Sequence, residues 1–267
     1  MLKLDGKVAF ISGAGSVGDG WGNGKATAAL LARQGARIYG TDIRLDAAEE
    51  TRSIVRQDGG VCEVGACDMT NAASVAATVA DCIAKFGRID ILVNNVGGSA
   101  PGNAVSMSEE VWDTQIAHNL KTMFLATKYV LPHMTAQGGG AIVNLASIAA
   151  LRMSAERPHV AYSTAKFGII AFSKSTAIAF AKQRIRCNTV IPGLMNTPLV
   201  EHRLAKSIAG GDLAALVAKR DAAVPTGKMG TAWDVAHAIL FLVSDEAHYI
   251  TGTEIAVDGG LSAAGNT

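Results

Sequence analysis

Short apolar runs alternate along this chain with longer segments of helical spacing. The runs occupy residues 8–12, 37–41, 62–66, 91–94, 141–145, 186–191 and 254–257, and the main helical segments occupy residues 25–34, 47–58, 74–86, 109–133 and 161–183. Such alternation predicts βαβ units and a parallel sheet. Because the runs are continuously apolar, we expect helices on both faces of the sheet. The sequence therefore predicts one α/β domain, residues 1–267, with a doubly wound sheet of seven parallel strands.

Composition excludes several classes of protein. The 267 residues include 24 Lys and Arg against 23 Asp and Glu, and the net charge of +1 predicts no nucleic-acid partner. A hydrophobic share of 49% with 18% charged residues excludes general disorder. No apolar run reaches the roughly 20 residues that cross a bilayer, and no leader pattern precedes the first run, so we expect no membrane association.

The cysteines and histidines predict no metal site. Cys62, Cys67, Cys82 and Cys187 form no C-x-x-C pair, and the six histidines form no H-E-x-x-H motif. A disulfide framework has equally little support. We therefore expect a reduced, cytoplasmic protein.

A glycine-rich turn follows the first run, and it reads Ser12-Gly13-Ala14-Gly15-Ser16-Val17-Gly18-Asp19-Gly20-Trp21-Gly22-Asn23-Gly24-Lys25. A strand, a glycine turn and a helix N-terminus together form a pyrophosphate site, although glycines alone can simply make turns. Asp42 ends the second run at the spacing where a carboxylate binds a ribose 2′-hydroxyl. The pattern predicts a Rossmann-type dinucleotide site that prefers NAD over NADP, although Arg44 lies nearby.

Further motifs follow in a fixed order: Asn94-Asn95-Val96-Gly97, Asn119, Ser147 after the fifth run, Tyr162-Ser163-Thr164-Ala165-Lys166, and Pro192-Gly193 with Thr197. Over nearly its whole length the chain resembles the short-chain dehydrogenase/reductase family, with its Tyr-x-x-x-Lys and Asn-Asn-Ala-Gly motifs. Val96 replaces the alanine. Cys67-Asp68-Met69 is similar to the family's acidic position beside adenine, and Asp258-Gly259-Gly260 resembles its tail.

The proposed chemistry rests on Tyr162 and Lys166, which share one helix face at i and i+4. A nearby ammonium lowers the pKa of a phenol, which can then take the alcohol proton while hydride leaves for the nicotinamide. Ser147 would hydrogen-bond the substrate oxygen. The resemblance implies that Lys166 also holds the nicotinamide ribose and that Asn119 supports a proton-relay water.

The cofactor contacts that we expect come from Gly13, Gly22, Asn23, Gly24, Asp42, Ile43, Asp68, Met69, Asn95, Gly97, Tyr162, Lys166, Pro192, Gly193 and Thr197. The expected substrate contacts are Ser147, Tyr162 and His159. Structural alternatives exist: a Tyr and Lys four apart are usually a surface pair, and Asn119 could make only a local helix bond. Thr197 and Asp258 could merely cap turns.

Two segments depart from the family pattern. The glycine turn is longer, with an insertion within residues 16–21. We align Gly13, Gly22 and Gly24 with the family's three glycines, and an alternative pairs Gly13 with Gly18 and Gly20. Trp21 could cover the cofactor or brace the loop.

The second departure is a lengthened segment at residues 152–159, where His159 and Arg152 could bind a polar or acidic substrate or remain solvated. Residues 194–231 are irregular, and we interpret them as a flap over the site.

These observations predict an oxidoreductase that transfers hydride between NAD(H) and a small-molecule secondary alcohol or ketone, with Tyr162 as acid and base. One alternative is a 3-oxoacyl-thioester reductase, whose usual preference for NADPH conflicts with Asp42. Another is a non-catalytic dinucleotide-binding protein, which would not need the intact set of site residues. The short spacing of Tyr162 and Lys166 disfavours an enoyl reductase. The resemblance also implies a homotetramer.

Overall fold

The computed structural model describes residues 2–200 and 213–265. The strands are β1 Val8–Ser12, β2 Arg37–Asp42, β3 Cys62–Ala66, β4 Ile91–Asn94, β5 Gly140–Leu145, β6 Ile185–Pro192, β7 Met195–Asn196, β8 Gly230–Thr231 and β9 Glu254–Val257. Seven of them form one parallel sheet in the order β3-β2-β1-β4-β5-β6-β9, and β7 pairs with β8. This sheet confirms the predicted fold class.

Helices cover both faces of the sheet. Their bounds are α1 Asn23–Arg33, α2 Leu45–Gln57, α3 Ala72–Phe86, α4 Glu109–Ile116, α5 Thr122–Gln137, α6 Val160–Phe180, α7 Leu213–Ala222 and α8 Ala232–Val243. The core side chains of α1, α2 and α8 lie in one cluster, and those of α3 and α5 lie in another. Along β1, Ala9 and Ile11 join the first cluster while Val8 and Phe10 join the second. This alternation explains why a two-sided strand is apolar at every position.

The prediction of one helix over residues 109–133 that stops near Pro132 is wrong. The segment forms α4, a π-helical turn at Ala117–Lys121, and then α5, which contains Pro132 and ends at Gly138 with φ of +87°. A proline inside a helix removes one hydrogen bond, and packing of the neighbouring Leu131 and Met134 in the core offsets that cost. Glycine at the left-handed position ends the helix.

Helix α8 was not among the predicted elements. Seven of its twelve residues are buried, so its pattern is too uniformly apolar to show a helical stripe. Thr231 and Asp234 form a reciprocal capping box that starts it. Within the described ranges, no helix is both long enough and apolar enough to cross a bilayer.

Strand order positions the candidate site. Strand β1 lies between β2 and β4, so the chain winds outward in opposite directions from this point. Ligands of doubly wound sheets bind beyond the carboxyl ends of the strands at such a reversal.

Candidate active site

A cleft of about 800 Å³ lies at the carboxyl ends of the central strands. Residues that follow successive strands line it, namely Gly13 after β1, Ile43 after β2, Asp68 after β3, Asn95 after β4, Ser147 after β5 and Gly193 after β6. All the expected cofactor contacts and the expected substrate contacts Ser147, Tyr162 and His159 line this one cleft, whereas Asn119 does not. The sheet thus brings together motifs that are far apart in the sequence.

The glycine turn supports the alignment on Gly13, Gly22 and Gly24. Gly22 caps α1, and a Cβ at Gly24 would lie 1.9 Å from the Gly13 carbonyl oxygen. The Asn95 amide donates to that same oxygen at 2.8 Å. Gly18 and Gly20 instead face Pro198, outside the residues that line the cleft. The N-terminus of α1 therefore opens into the cleft beside Gly13, where its free N–H groups favour an anion.

Trp21 braces the inserted loop and does not line the cleft. Its ring packs on Trp233 of α8 at 4.7 Å between centroids. The buried Lys25 lies 5.3 Å above the same ring and forms an ion pair with Glu50. These contacts tie the insertion to two helices.

Asp42 joins the glycine turn to the end of β2. One carboxylate oxygen accepts the Gly15 N–H at 3.1 Å, and the other accepts the Arg44 N–H at 3.1 Å. The Arg44 guanidinium turns back to the Ser16 carbonyl at 2.6 Å. The sequence did not predict a role for Gly15. A Cβ at this position would lie 2.6 Å from Ala47 Cβ, so the turn requires glycine here.

The outer end of the cleft beside β2 and β3 presents Ile43 and Asp68. Ile43 is 71% exposed, which leaves an apolar surface for a flat ring to cover. Asp68 accepts hydrogen bonds from the hydroxyl and N–H of Thr70, and these bonds lower the pKa of its carboxyl. Met69 is buried behind them.

Tyr162 and Lys166 lie in the first two turns of α6 and both line the cleft. Lys166 Nζ lies 5.6 Å from the centre of the Tyr162 ring and donates to the Leu145 carbonyl at 2.9 Å. Lys166 is 3% exposed, and this burial lowers its pKa to about 8. A Cβ at Gly97 would lie 2.9 Å from Nζ, so the glycine of the Asn94–Gly97 motif makes room for the lysine.

Asn119 lies behind the cleft, in the π-helical turn, and is fully buried. Its amide donates to the carbonyls of Gly98 and Gln115, both at 2.9 Å, and its oxygen accepts the Gly98 N–H at 3.0 Å. The bond to Gln115 is the local helix bond that the sequence left open. The side chain holds the segment after β4 against α4, and its proton-relay role stays a prediction.

Ser147 and His159 flank Tyr162. Ser147 Oγ accepts the Ala149 N–H at 3.2 Å at the start of a short 3₁₀ turn. His159 Nδ1 contacts the Ala100 carbonyl at 3.1 Å, and the His159 and Tyr162 rings meet edge to face. Burial lowers the pKa of His159. The neutral ring therefore donates from Nδ1 and leaves Nε2 as an acceptor.

Beyond β6 the cleft wall comes from Pro192, Gly193 and Thr197. A Cβ at Gly193 would lie 2.7 Å from the backbone of Asp258. Asp258 accepts the N–H groups of Gly260 and Ser262, as a turn cap does. Although partial burial opposes it, these bonds hold the pKa of the Asp258 carboxyl below its usual range.

Two further arginines line the cleft, Arg157 and Arg220, and the sequence did not predict them as cleft residues. Neither belongs to a motif, and Arg220 reaches the cleft from α7. Arg152, which the sequence offered as a substrate contact, donates instead to the Leu261 carbonyl and does not line the cleft. Of the expected flap, residues 201–212 lie outside the described residues, while Leu194, Met195 and Val200 form an apolar wall.

The cleft fits a dinucleotide. Its volume falls in the range of cofactor sites, and the α1 N-terminus, the Asp42 carboxylate and the exposed Ile43 match a pyrophosphate, a ribose and a base in turn. The Asn23 side-chain oxygen is buried at this end without a hydrogen-bond partner. Among the residues in 2–200 and 213–265, no group of three or more metal-ligating side chains comes together.

Comparisons with known proteins agree with this geometry. A family model described as enoyl-(acyl carrier protein) reductase matches residues 18–262. A D-threitol dehydrogenase of Mycolicibacterium smegmatis is 39% identical over 261 residues, covering 98% of this chain and 95% of that protein. A 3-oxoacyl-[acyl-carrier-protein] reductase of Thermotoga maritima is 36% identical over 266 residues, covering 97% and 99%.

Solved structures give the same result. One described as a short-chain dehydrogenase/reductase from Burkholderia xenovorans has a TM-score of 0.94 and 47% identity, covering 98% of this chain and 99% of that chain. Levodione reductase has a TM-score of 0.91 and 29% identity, covering 98% and 100%. This chain belongs to the short-chain dehydrogenase/reductase family, whose members are oxidoreductases that use a nicotinamide dinucleotide.

Proposed function

We propose that this protein interconverts a secondary alcohol and its ketone with NAD(H), and that Tyr162 is the acid and base. The observation that carries the proposal is the position of Tyr162, Lys166 and Ser147 in the same cleft as the glycine turn. The cleft residues would hold NAD⁺, which would supply the acceptor for the hydride of the carbinol carbon. The Tyr162 phenolate would take the hydroxyl proton as the carbon–oxygen double bond forms.

Lys166 makes Tyr162 a competent base. With a pKa of about 8, Nζ still carries its charge at neutral pH. That charge lies 5.6 Å from the phenol ring in a buried setting, where it favours phenolate. Nζ keeps one bond to Leu145 O and has further donors for a ribose hydroxyl.

The neighbouring side chains orient the substrate oxygen. The Ser147 hydroxyl can donate to that oxygen as charge develops on it. Nε2 of the neutral His159 ring can accept a hydrogen bond from a substrate hydroxyl. Asn119 holds the Gly98 backbone in the segment after β4. This segment would in turn hold the relay water that the family resemblance implies.

Asp42 supports a preference for NAD. Its carboxylate lines the cleft at the end of β2, where it can accept a ribose 2′-hydroxyl and would repel a 2′-phosphate. Arg44 is engaged with the Ser16 carbonyl and the glycine turn. Arg44, the cation that could favour NADP, is therefore hydrogen-bonded to the protein's own backbone.

Two alternative functions have weaker support. A 3-oxoacyl-thioester reductase would use the same Tyr162 and Ser147 chemistry, and such an enzyme is among the relatives. A non-catalytic binder would have no need of a buried Lys166 beside Tyr162, since burying an amine is costly.

We also propose that the protein is a homotetramer. Large apolar side chains on α5 and α6 are exposed, namely Phe124, Phe167 and Ile178. Such surfaces on paired helices are typical of interfaces between subunits. Light scattering should give four times the chain mass, and Phe167→Asp with Ile178→Asp should lower it.

We also propose one domain over residues 1–267, with a flap over the cleft at residues 194–231. The described parts of this segment support the flap. Leu194, Met195, Thr197, Leu199 and Val200 line the cleft, and α7 has no fully buried residue. Hydrogen exchange in peptides of α7 should slow when NADH and a ketone are bound, and equal exchange would refute the flap.

The proposed reaction is tested by absorbance of reduced nicotinamide at about 340 nm. NAD⁺ and NADP⁺ are each offered with secondary alcohols, cyclic diols, sugar alcohols, steroids and oxoacyl thioesters. We expect NAD⁺-dependent turnover of at least one secondary alcohol, lost in Tyr162→Phe by about 1,000-fold or more while NADH binding persists. Turnover that survives in the variant would exclude the role of Tyr162.

A further inference from the structure

The carboxylates that line the cleft lie away from two of its arginines. Asp42 and Asp68 follow strands at the β2–β3 side, where Arg44 also lies. Arg157 and Arg220 line the same cleft together with His159, which precedes α6 and contacts Tyr162. Strand β2 is three strand spacings from β5, or roughly 14 Å. The carboxylates at the β2–β3 side therefore cannot neutralise arginines at the Tyr162 end.

The two guanidinium groups repel each other. Burial lowers the pKa of both Arg220 and His159, and the positive charge of Arg157 lowers each of them further. These three groups therefore make one positive region of the cleft. Two close cations in a partly desolvated cleft cost free energy until an anion lies between them.

No carboxylate among residues 2–200 and 213–265 forms an ion pair with either arginine. Arg220 Nε contacts the sulfur of Met229 at 3.2 Å, which is a weak acceptor. Asp221 is next in sequence, but its carboxylate accepts the Met229 N–H. Within residues 2–200 and 213–265, the Arg220 guanidinium therefore has no carboxylate partner.

The surrounding wall is apolar. Ile148, Leu194, Met195 and Val200 line the cleft with Arg220. An apolar wall that ends in guanidinium groups suits a ligand with a hydrocarbon part and an anionic end, since planar guanidinium forks match oxyanions.

We propose that Arg157 and Arg220 form an anion subsite, and that the physiological substrate is a hydroxy acid or oxo acid whose carboxylate binds there. This assignment rests on the proposed alcohol dehydrogenase function of the same cleft. The carboxylate would fix the substrate so that its carbinol carbon lies beside Tyr162. Arg220 is a specificity residue in this arrangement and takes no part in proton transfer.

The binding test uses molecules that cannot react. 3-Methylbutanoate and its neutral isostere 3-methylbutanamide are titrated into the NAD⁺-saturated protein by calorimetry. We expect the acid to bind at least tenfold more tightly than the amide, because only the acid pairs with the arginines. Arg220→Gln should remove this difference. The control Lys219→Gln, an exposed cation of the same helix turn outside the cleft, should preserve it.

The kinetic test compares 3-hydroxybutanoate with 3-hydroxybutanamide. The ratio of kcat/KM for the acid over the amide should exceed ten and should fall about tenfold in Arg157→Gln and in Arg220→Gln. Equal binding of the two inert isosteres, or equal loss of binding in Lys219→Gln, would overturn the subsite. If the acid binds tightly but no alcohol gives Tyr162-dependent turnover, the proposed reaction fails and the subsite stands.

The phosphate of an acyl-thioester carrier presents the same oxyanion chemistry as a carboxylate. Acetoacetyl-coenzyme A and the uncharged acetoacetyl-N-acetylcysteamine separate the two sources. If Arg220→Gln lowers the rate with the coenzyme A thioester and does not change the acid-to-amide ratio, the small-acid assignment is wrong.

Discussion

The half of the cleft beside β1, β2 and β3 differs in construction from the half beside Tyr162. The first, the cofactor half, is made of residues that directly follow buried strands and of the start of α1, in which nine of eleven residues are buried. The second, the substrate half, takes its walls from Arg157 and His159, from side chains between Leu194 and Val200, and from Arg220 of α7, a helix in which no residue is fully buried. Packing fixes the first half, whereas few contacts fix the second, so specificity can change there without loss of the fold.

Gly24→Ala should produce the largest effect, because it adds a methyl group where the cofactor half is most tightly packed. Its Cβ would lie 1.9 Å from the Gly13 carbonyl and 2.6 Å from the Asn95 amide. The turn must move, and we expect the Kd for NADH to rise by about 100-fold or more, with a loss of stability of about 2 kcal/mol. Fluorescence titration and urea denaturation measure the two effects.

Gly18→Ala is the matched control within the same turn. Its nearest neighbour would be the Pro198 side chain at 3.7 Å, an ordinary contact, and its φ is not positive. Binding of NADH should change less than about twofold. If both alanines weaken binding alike, the account of the glycine turn is wrong.

Lys166, where the two halves meet, should impose a pH dependence on stability. Its pKa is about 8 when folded and about 10.5 when unfolded, so the unfolded chain binds more protons between these values. The unfolding free energy of the wild type should therefore rise with pH in this window, relative to Lys166→Met, by about 1 kcal/mol per pH unit. Urea titrations at pH 7.5, 8.5 and 9.5 measure the difference, and parallel curves would contradict the buried ammonium.

Asp42→Asn should change the preference between the two cofactors and leave the preference among alcohols unchanged. The change removes the charge at the adenosine end but keeps one acceptor oxygen for the Gly15 N–H. We expect the ratio of kcat/KM for NAD⁺ over NADP⁺ to fall about tenfold while the order of preference among alcohols is unchanged. Asp46→Asn, exposed on α2 and outside the cleft, is the control. An altered order of alcohols would show that the halves are not independent.

Arg152→Gln should have the smallest effect. Its guanidinium binds the Leu261 carbonyl outside the cleft, so KM for any alcohol should change less than about twofold. A larger change would extend the substrate half beyond Arg157 and Arg220.

The sequence signals for the cofactor half are local. A strand, a turn and a helix are adjacent in the chain, and Asp42 lies where the second strand ends. Gly15 escaped notice because its constraint comes from Ala47 on another element. The division of α4 from α5 was also not predicted, since the π-helical turn at Ala117–Lys121 contains no glycine or proline to mark it.

The substrate half could not be predicted because its contacts are between distant segments. Arg152 and Arg157 look equivalent in the sequence, yet one binds Leu261 and the other lines the cleft. Arg220 lines the cleft from α7, a helix whose sequence contains no recognisable motif. The family resemblance singled out Asn119, but two of its three backbone contacts are to Gly98 in the segment after β4, which the sequence does not place beside it.

The central claim is that one cleft binds the dinucleotide and holds Tyr162 beside its reactive ring. A crystal structure with NAD⁺ tests it most directly. The account predicts a ribose hydroxyl on Lys166 Nζ at roughly 3 Å, with the nicotinamide face open toward the Tyr162 hydroxyl. A nicotinamide bound away from α6, with its ribose out of reach of Lys166, would contradict it.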